Sequence, residues 1–257
     1  MAFERRKTKN RPPISGPLRR LAGQSVREEL HKILNEDVGA YIAVGLAFLL
    51  LAGWEWFRWW SHSPPQPVVV SIIALILVTW CTIRIVKART DIRNLKQAEK
   101  GERRVSELLT QLRRKRYVAF DDLVGIGSNI DHVLVGPGGI FAIETKSYSV
   151  FGNECVGVDQ AGVLRLSNKL AAGDPLRQAT AAAERVARIL NDRLRTAFDV
   201  TPVLIFPGWT LKGAKSETGV VVLNDGTILD FFESQPKILS DAQITHICAH
   251  LDQAARS

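Results

Sequence analysis

The chain of 257 residues has few cysteines and lacks the sequence motifs of two large enzyme classes. Its three cysteines, Cys81, Cys155 and Cys248, are far apart and form no C-x-x-C pair. An odd number of isolated cysteines argues against a disulfide framework and a thiolate zinc site, and it fits a reducing compartment. The sequence has neither a Walker-type phosphate loop nor a G-x-S-x-G elbow, so a P-loop nucleotidase and an α/β-hydrolase are both disfavoured.

Charged residues are absent from two long apolar segments, residues 38–54 and residues 68–83. Each segment reaches the roughly 20 residues that span a bilayer once adjoining apolar residues are added. Four tryptophans cluster at the end of the first segment, as in an interfacial aromatic belt, and Arg58 and Arg84 are expected to reach the interface. A short, proline-rich link joins the segments. The pattern predicts a transmembrane helical hairpin over residues 38–87, and the alternative is a pair of buried helices in a soluble core.

The distribution of charge predicts the orientation of this hairpin. Lysine and arginine are frequent on both outer sides of the apolar segments, whereas the link carries only Arg58 and His62. The positive-inside tendency then places both termini in the cytoplasm of a two-pass protein of the inner (cytoplasmic) membrane. We expect a basic cytoplasmic segment (1–37), the hairpin (38–87) and a cytoplasmic α/β domain (88–257). The net charge of +8 favours nucleic acid or a lipid membrane as partner.

The stretch GERRVSELLTQL predicts a helix that carries an acidic residue on its apolar face. Val105, Leu108, Leu109 and Leu112 follow helical spacing, and Glu102 lies on the same stripe. A buried carboxylate is costly unless it is paired or bound to a metal. Exposure at the helix start, with a favourable helix dipole, is the simpler alternative.

The stretch IDHVLVGPGGIFAIETK predicts two strands joined by a tight turn at Pro137 and Gly138. This register places Asp131 directly opposite Glu144, and Lys146 shares their face. Opposed carboxylates weaken a sheet, and Mg²⁺ or Mn²⁺ between them would remove the repulsion. A solvated face with an ordinary Glu-x-Lys pair, or a longer turn with a shifted register, remains the alternative. His132 falls on the opposite face and is interpreted as a core or near-surface histidine rather than a metal ligand.

A later helix begins at GDPLRQ, with Asp174 as its N-cap and Pro175 in its first turn. Gln178 lies near the apolar face of this helix. It is either a satisfied core amide or a contact to phosphate or to a metal-bound water.

Three blocks, GERRVSELL, IDHVLVGPGGIFAIETK and DPLRQA, occur in an order that resembles the nuclease-related domain (NERD) family, a branch of the PD-(D/E)XK nucleases. The resemblance covers about residues 98–251. It implies an α/β fold, with a restriction-endonuclease-like core in which helices flank a central mixed β-sheet. It also implies metal-dependent cleavage of nucleic-acid phosphodiesters.

The resemblance assigns roles to five residues of this chain. Glu102 matches the acid of the first helix, Asp131 the metal-binding aspartate, Glu144 and Lys146 the E-x-K pair, and Gln178 the glutamine of the later helix. All five positions hold the expected residue types.

The resulting hypothesis is a membrane-anchored, metal-dependent nuclease, with DNA favoured as the substrate. Asp131 and Glu144 would hold Mg²⁺ or Mn²⁺ together with the Thr145 carbonyl, and Lys146 would orient the attacking water or stabilise the transition state. Two alternatives remain open: a non-catalytic module that binds nucleic acid or a partner at the membrane, and a structural membrane protein.

Overall fold

A computed structural model describes residues 23–62, 64, 67–123, 129–148, 155–158, 163–167, 169–170, 173–212 and 219–254. Most of the predicted N-terminal basic segment, residues 1–22, lies outside the described residues. Five α-helices are present in the described part: α1 (Gln24–Trp60), α2 (Pro67–Gln111), α3 (Pro175–Leu194), α4 (Ile228–Glu233) and α5 (Asp241–Ala254). A short 3₁₀ helix (Leu112–Lys115) follows α2. The predicted N-cap of α3 is confirmed, because Asp174 Oδ1 accepts a hydrogen bond from the Arg177 backbone N–H at 3.0 Å.

Helices α1 and α2 form an antiparallel hairpin that precedes the α/β domain. Both are long and apolar enough to cross a membrane, and 6% or less of their apolar windows is buried within the protein. Large apolar side chains such as Leu50, Trp59 and Ile76 are exposed along the hairpin. The fold therefore does not bury these helices in a soluble core.

The turn of the hairpin is fastened by Arg58, whose side chain is buried. Its Nη1 donates to Glu55 Oε1 at 2.9 Å, and its Nη2 donates to the Pro64 carbonyl. At the far end of the apolar segment of α2, the Arg84 guanidinium lies 5.8 Å from the Trp80 ring centroid, a cation–π contact.

Helix α2 continues without a break from the apolar segment to Gln111. The boundary expected at residue 88 therefore falls inside a helix, and the predicted helix around Glu102 is the last part of α2. The beginning of α1 packs beside this part, with Arg27 Nη2 and Glu99 Oε1 2.7 Å apart. No proline follows Pro67 in this stretch, so nothing interrupts the hydrogen-bond ladder.

The central sheet is mixed, as expected, with five strands in the order β1-β2-β3-β7-β9. Strands β1, β2 and β3 are antiparallel neighbours, whereas β3, β7 and β9 run parallel. The turn at Pro137 and Gly138 is confirmed, since Gly136 pairs with Gly139 and His132 with Ile143. The strands are β1 (Val118–Leu123), β2 (Ile130–Gly136), β3 (Gly139–Thr145), β7 (Val200–Ile205) and β9 (Val221–Leu223).

Helices cover both faces of this sheet. One core packs the sheet against α3 and α5 around Val133, Val186 and Ile247, and the other packs it against α2 and α4 around Leu109, Phe141 and Phe232. A smaller sheet in the order β6-β5-β4-β8 lies beside the central one. Its strands are β4 (Cys155–Val158), β5 (Leu164–Leu166), β6 (Lys169–Leu170) and β8 (Thr210–Leu211).

Candidate functional site

The two carboxylates of the hairpin lie at its open end, away from the tight turn. Asp131 is the second residue of β2, and Glu144 is the last but one of β3, so the observed register places them opposite each other. Asp131 Oδ2 accepts a hydrogen bond from the Thr145 backbone N–H at 2.7 Å. This bond fixes the Asp131 carboxylate across the end of β3.

Lys146 pairs with Glu144, as the shared face of the strand predicts. Its Nζ donates to Glu144 Oε1 at 2.8 Å, and the exposed fractions of the two side chains are 25% and 13%. Burial alone lowers the pKa of Lys146, but the charge of Glu144 and this hydrogen bond outweigh it and hold the pKa above its usual value. Lys146 therefore presents a permanent positive charge beside the two carboxylates.

Glu102 reaches the same cluster because α2 approaches the end of β3 very closely at Gly101. A Cβ atom on Gly101 would lie 1.5 Å from Ser147 Oγ, so only glycine fits this contact. The Glu102 side chain is buried, with 7% exposed, and it accepts a hydrogen bond from the Gly23 backbone N–H at the start of α1. The simpler alternative of an exposed acid at a helix start is excluded.

Two acids of the cluster have a raised pKa. Burial, together with the neighbouring charges of Glu144 and Glu102, raises the pKa of Asp131 to about 8. Burial and the charge of Asp122 raise the pKa of Glu102 to about 7. Such repulsion is what a bound cation would relieve.

A pH titration of the metal-free protein tests this electrostatic picture. An aspartate with an ordinary pKa in the unfolded chain and a pKa near 8 in the folded one stabilises the folded state at low pH. This contribution to the free energy of unfolding is lost as pH rises from about 4 to about 8. We expect the melting temperature of the wild type in EDTA to fall over this pH range. In Asp131→Asn the melting temperature should fall less, because only the pH dependence that comes from Glu102 is left. Parallel curves for the two proteins would contradict the raised pKa.

Three further residues form a partly buried chain of hydrogen bonds next to the cluster. His132 Nδ1 lies 2.7 Å from Asp121 Oδ1, and Ser106 Oγ donates to Asp121 Oδ2 at 2.8 Å. His132 is fully buried, which confirms its predicted place on the core face. Ser106 lies one helical turn after Glu102 on α2. These hydrogen bonds therefore connect α2 near Glu102 with β2, the strand that carries Asp131.

Asp122 is a buried acid that the sequence pattern does not single out. It is 3% exposed, has a φ of 48°, and accepts a hydrogen bond from Asn129 Nδ2 at 3.1 Å. The positive φ departs from extended geometry inside β1, and the carboxylate lies close enough to Glu102 to raise its pKa. The double acid in the stretch AFDDL is the available signal, but the positive φ cannot be read from it.

Gln178 lies on the first turn of α3 with an exposed side chain. The interpretation as a core amide is wrong. Asp174 and Pro175 set the phase of the helix so that Leu176, Ala179 and Ala182 point inward. Within the described residues no hydrogen bond joins Gln178 to the acidic cluster, so its predicted role in contacting substrate stays a prediction.

The donor set offers oxygen atoms only. Asp131 and Glu144 supply carboxylates, and the Thr145 carbonyl ends the same strand. Among the described residues no three His, Cys, Asp or Glu side chains form a group that could hold a metal ion. Two carboxylates and a carbonyl nevertheless fit a hard divalent cation, which keeps part of its shell as water.

One comparison with known proteins identifies the domain that carries this cluster. Residues 97–207 match the family model described as the nuclease-related domain, and no curated protein or solved structure gives a significant match. The matched region contains the cluster residues Glu102, Asp131, Glu144 and Lys146. Residues 97–207 of this chain therefore belong to the nuclease-related domain (NERD) family, which confirms the resemblance found in the sequence.

Proposed function

We propose that the protein hydrolyses phosphodiester bonds of nucleic acid, with DNA as the favoured substrate, in a reaction that depends on Mg²⁺ or Mn²⁺. The observation that carries this proposal is the cluster itself: a half-buried Asp131 opposite Glu144, with Glu102 beside them and Lys146 in contact. A protein with only a structural role would gain no advantage from this cluster. The three acids repel each other, and they would also repel a polyanion.

Each residue has a role that follows from its contacts. Asp131 and Glu144, with the Thr145 carbonyl, would hold the cation, and the Thr145 N–H keeps the Asp131 carboxylate oriented. The bound cation would polarise the scissile phosphate and lower the pKa of a water molecule. Lys146 carries a positive charge that orients the attacking water or stabilises the negative charge of the transition state.

Glu102 and Gln178 complete the proposed site. Glu102 adds a third carboxylate that accepts a proton readily, because its pKa is raised to about 7. Gln178 is exposed on the first turn of α3, where it is free to contact substrate phosphate or water. It positions the substrate and takes no part in proton transfer.

The hairpin of α1 and α2 is proposed to anchor this domain in the inner membrane. Two helices of sufficient length and apolarity, exposed apolar side chains and the excess of basic residues outside the link support this assignment. Both termini and the nuclease-like domain then lie in the cytoplasm. The division into residues 1–37, 38–87 and 88–257 is kept as a proposal for the functional parts.

Cleavage assays on the full chain in detergent micelles test the proposal. Labelled single-stranded and double-stranded DNA and RNA are incubated with Mg²⁺, Mn²⁺ or EDTA, beside the Asp131→Asn variant. We expect cleavage that requires metal and drops by about 100-fold or more in the variant. Binding of Mn²⁺, followed by electron paramagnetic resonance, should weaken in parallel. Unchanged Mn²⁺ binding in the variant, or cleavage in EDTA, would overturn the proposal.

A non-catalytic module is the second candidate, and the lack of a three-ligand metal group among the described residues favours it. It predicts nucleic-acid binding that survives Glu144→Ala and Lys146→Ala, with no cleavage of any substrate. The same set of assays separates the two candidates.

A further inference from the structure

A basic cavity lies at the end of the central sheet opposite the acidic cluster. Its volume is about 590 Å³, and it is lined by the cations Arg114, Lys115, Arg116 and Lys237 around Pro137 of the β2–β3 turn. We call it the distal basic pocket. Asp131 stands at the other end of β2, six residues before Pro137, which corresponds to about 20 Å of strand.

The wall of the distal basic pocket is held in place by hydrogen bonds. The Pro137 carbonyl accepts the Ile238 backbone N–H at 2.8 Å and the Leu239 backbone N–H at 3.1 Å. Ser240 and Gln243 then form a reciprocal capping box that begins α5, with the Ser240 N–H donating to Gln243 Oε1 at 2.9 Å. The cations therefore surround a fixed cavity.

The pocket carries an excess of positive charge. Lys115 pairs with Glu233 at 3.0 Å, and Arg116 pairs with Asp241. Both pairs are solvent-exposed, and such pairs are weak enough for an anion to compete for the cation. Arg114 and Lys237 have no acidic partner in the part of the chain that the structure describes. A ligand with several negative charges matches this arrangement.

Lipid headgroups do not account for these cations. From residue 87, where the proposed membrane segment ends, α2 continues for 24 residues to Gln111. At 1.5 Å per residue this places the distal basic pocket about 36 Å further along the helix axis. The Debye length at physiological salt is about 8 Å, so the charge of a membrane surface is screened at this distance.

We propose that the distal basic pocket binds the phosphodiester backbone of nucleic acid, at a distance from the bond that the acidic cluster cleaves. Cleavage of the same strand rests on the proposed function, whereas binding of the backbone does not. Arg114 and Lys237 are the principal contacts, since neither is engaged by an acid among the described residues.

Binding in EDTA tests the proposal without any need for cleavage. Fluorescence anisotropy is measured on the full chain in micelles, with labelled oligodeoxythymidylates of increasing length. The double variant Arg114→Ala/Lys237→Ala is compared with Arg89→Ala/Arg93→Ala, which removes the same charge from exposed positions of α2 near the proposed membrane. Melting temperatures of both variants verify that they are folded.

For the wild type we expect binding in EDTA that weakens as salt rises, because the contacts are to phosphates. The pocket variant should bind long oligonucleotides about tenfold more weakly and show a salt dependence reduced by about 1.4 in slope, as expected for two lost phosphate contacts. Equal losses in the two variants, or an unchanged salt slope, would overturn the proposal. Weaker binding in the pocket variant, with no cleavage by the wild type in Mg²⁺, would uphold the pocket and reject the nuclease activity.

Discussion

Replacing Lys146 by alanine should lower the rate of metal-dependent cleavage by about 100-fold or more while leaving substrate binding largely intact. Lys146 is held against Glu144 at 2.8 Å, and its pKa stays above the usual value, so it is charged throughout the working pH range. Removing one preorganised group that stabilises a transition-state charge typically costs a factor of about 100 to 1,000. The loss should therefore appear in kcat rather than in KM.

Lys100→Ala is the matched control. Lys100 is exposed on α2, one residue before Gly101, and its loss removes the same charge near the same helix turn. Cleavage by the control should stay within about twofold of the wild type. Equal activity of the wild type, Lys100→Ala and Lys146→Ala would exclude Lys146 from the chemistry. A large rise in KM alone would assign it to substrate binding.

Gly101→Ala is expected to destabilise the protein, although alanine is the better helix former. At an open helical position this change stabilises by about 0.8–1.0 kcal/mol. Here the new Cβ would lie 1.5 Å from Ser147 Oγ and 2.8 Å from Ser147 Cβ, so α2 must move away from the end of β3. Such overpacking typically costs about 1–3 kcal/mol. Displacement of α2 also moves Glu102, so cleavage should fall together with stability.

Thermal unfolding of the full chain in micelles measures this effect. Gly53→Ala serves as control, because a Cβ added to Gly53 in α1 would meet no atom within 4 Å among the described residues. Its melting temperature should be unchanged or higher. The double variant Gly101→Ala/Ser147→Gly removes both clashing atoms and should recover most of the loss. A melting temperature for Gly101→Ala above that of the wild type would contradict the close approach.

The sequence predicts the part of the site that depends on strand alternation. A two-residue turn at Pro137 and Gly138 fixes the register, and the register alone places Asp131 opposite Glu144 and Lys146 on their face. This inference needs no long-range information. The same holds for the Asp174 cap of α3, which depends on residues within one turn.

Contacts between distant elements could not be predicted in this way. The approach of Gly23 to Glu102 joins residues that are far apart in sequence, and no local pattern encodes it. The outward position of Gln178 depends on which face of α3 meets the sheet, and near the start of a helix the apolar stripe is too short to decide this. The conformation of Asp122 has a positive φ, which aspartate adopts only in particular surroundings.

The uninterrupted course of α2 determines how the domain would search for substrate. A flexible tether lets a catalytic domain explore a volume, and its effective concentration falls with linker length. With α2 crossing the bilayer as proposed, the 15 residues from position 87 to Glu102 form a helical rod of about 23 Å instead. Glu102 is then held at a nearly constant height above the lipid and moves with the lateral diffusion of the hairpin. Encounters are confined to nucleic acid that comes within that layer, and inserting glycines between residues 88 and 98 would widen the layer without altering the catalytic cluster.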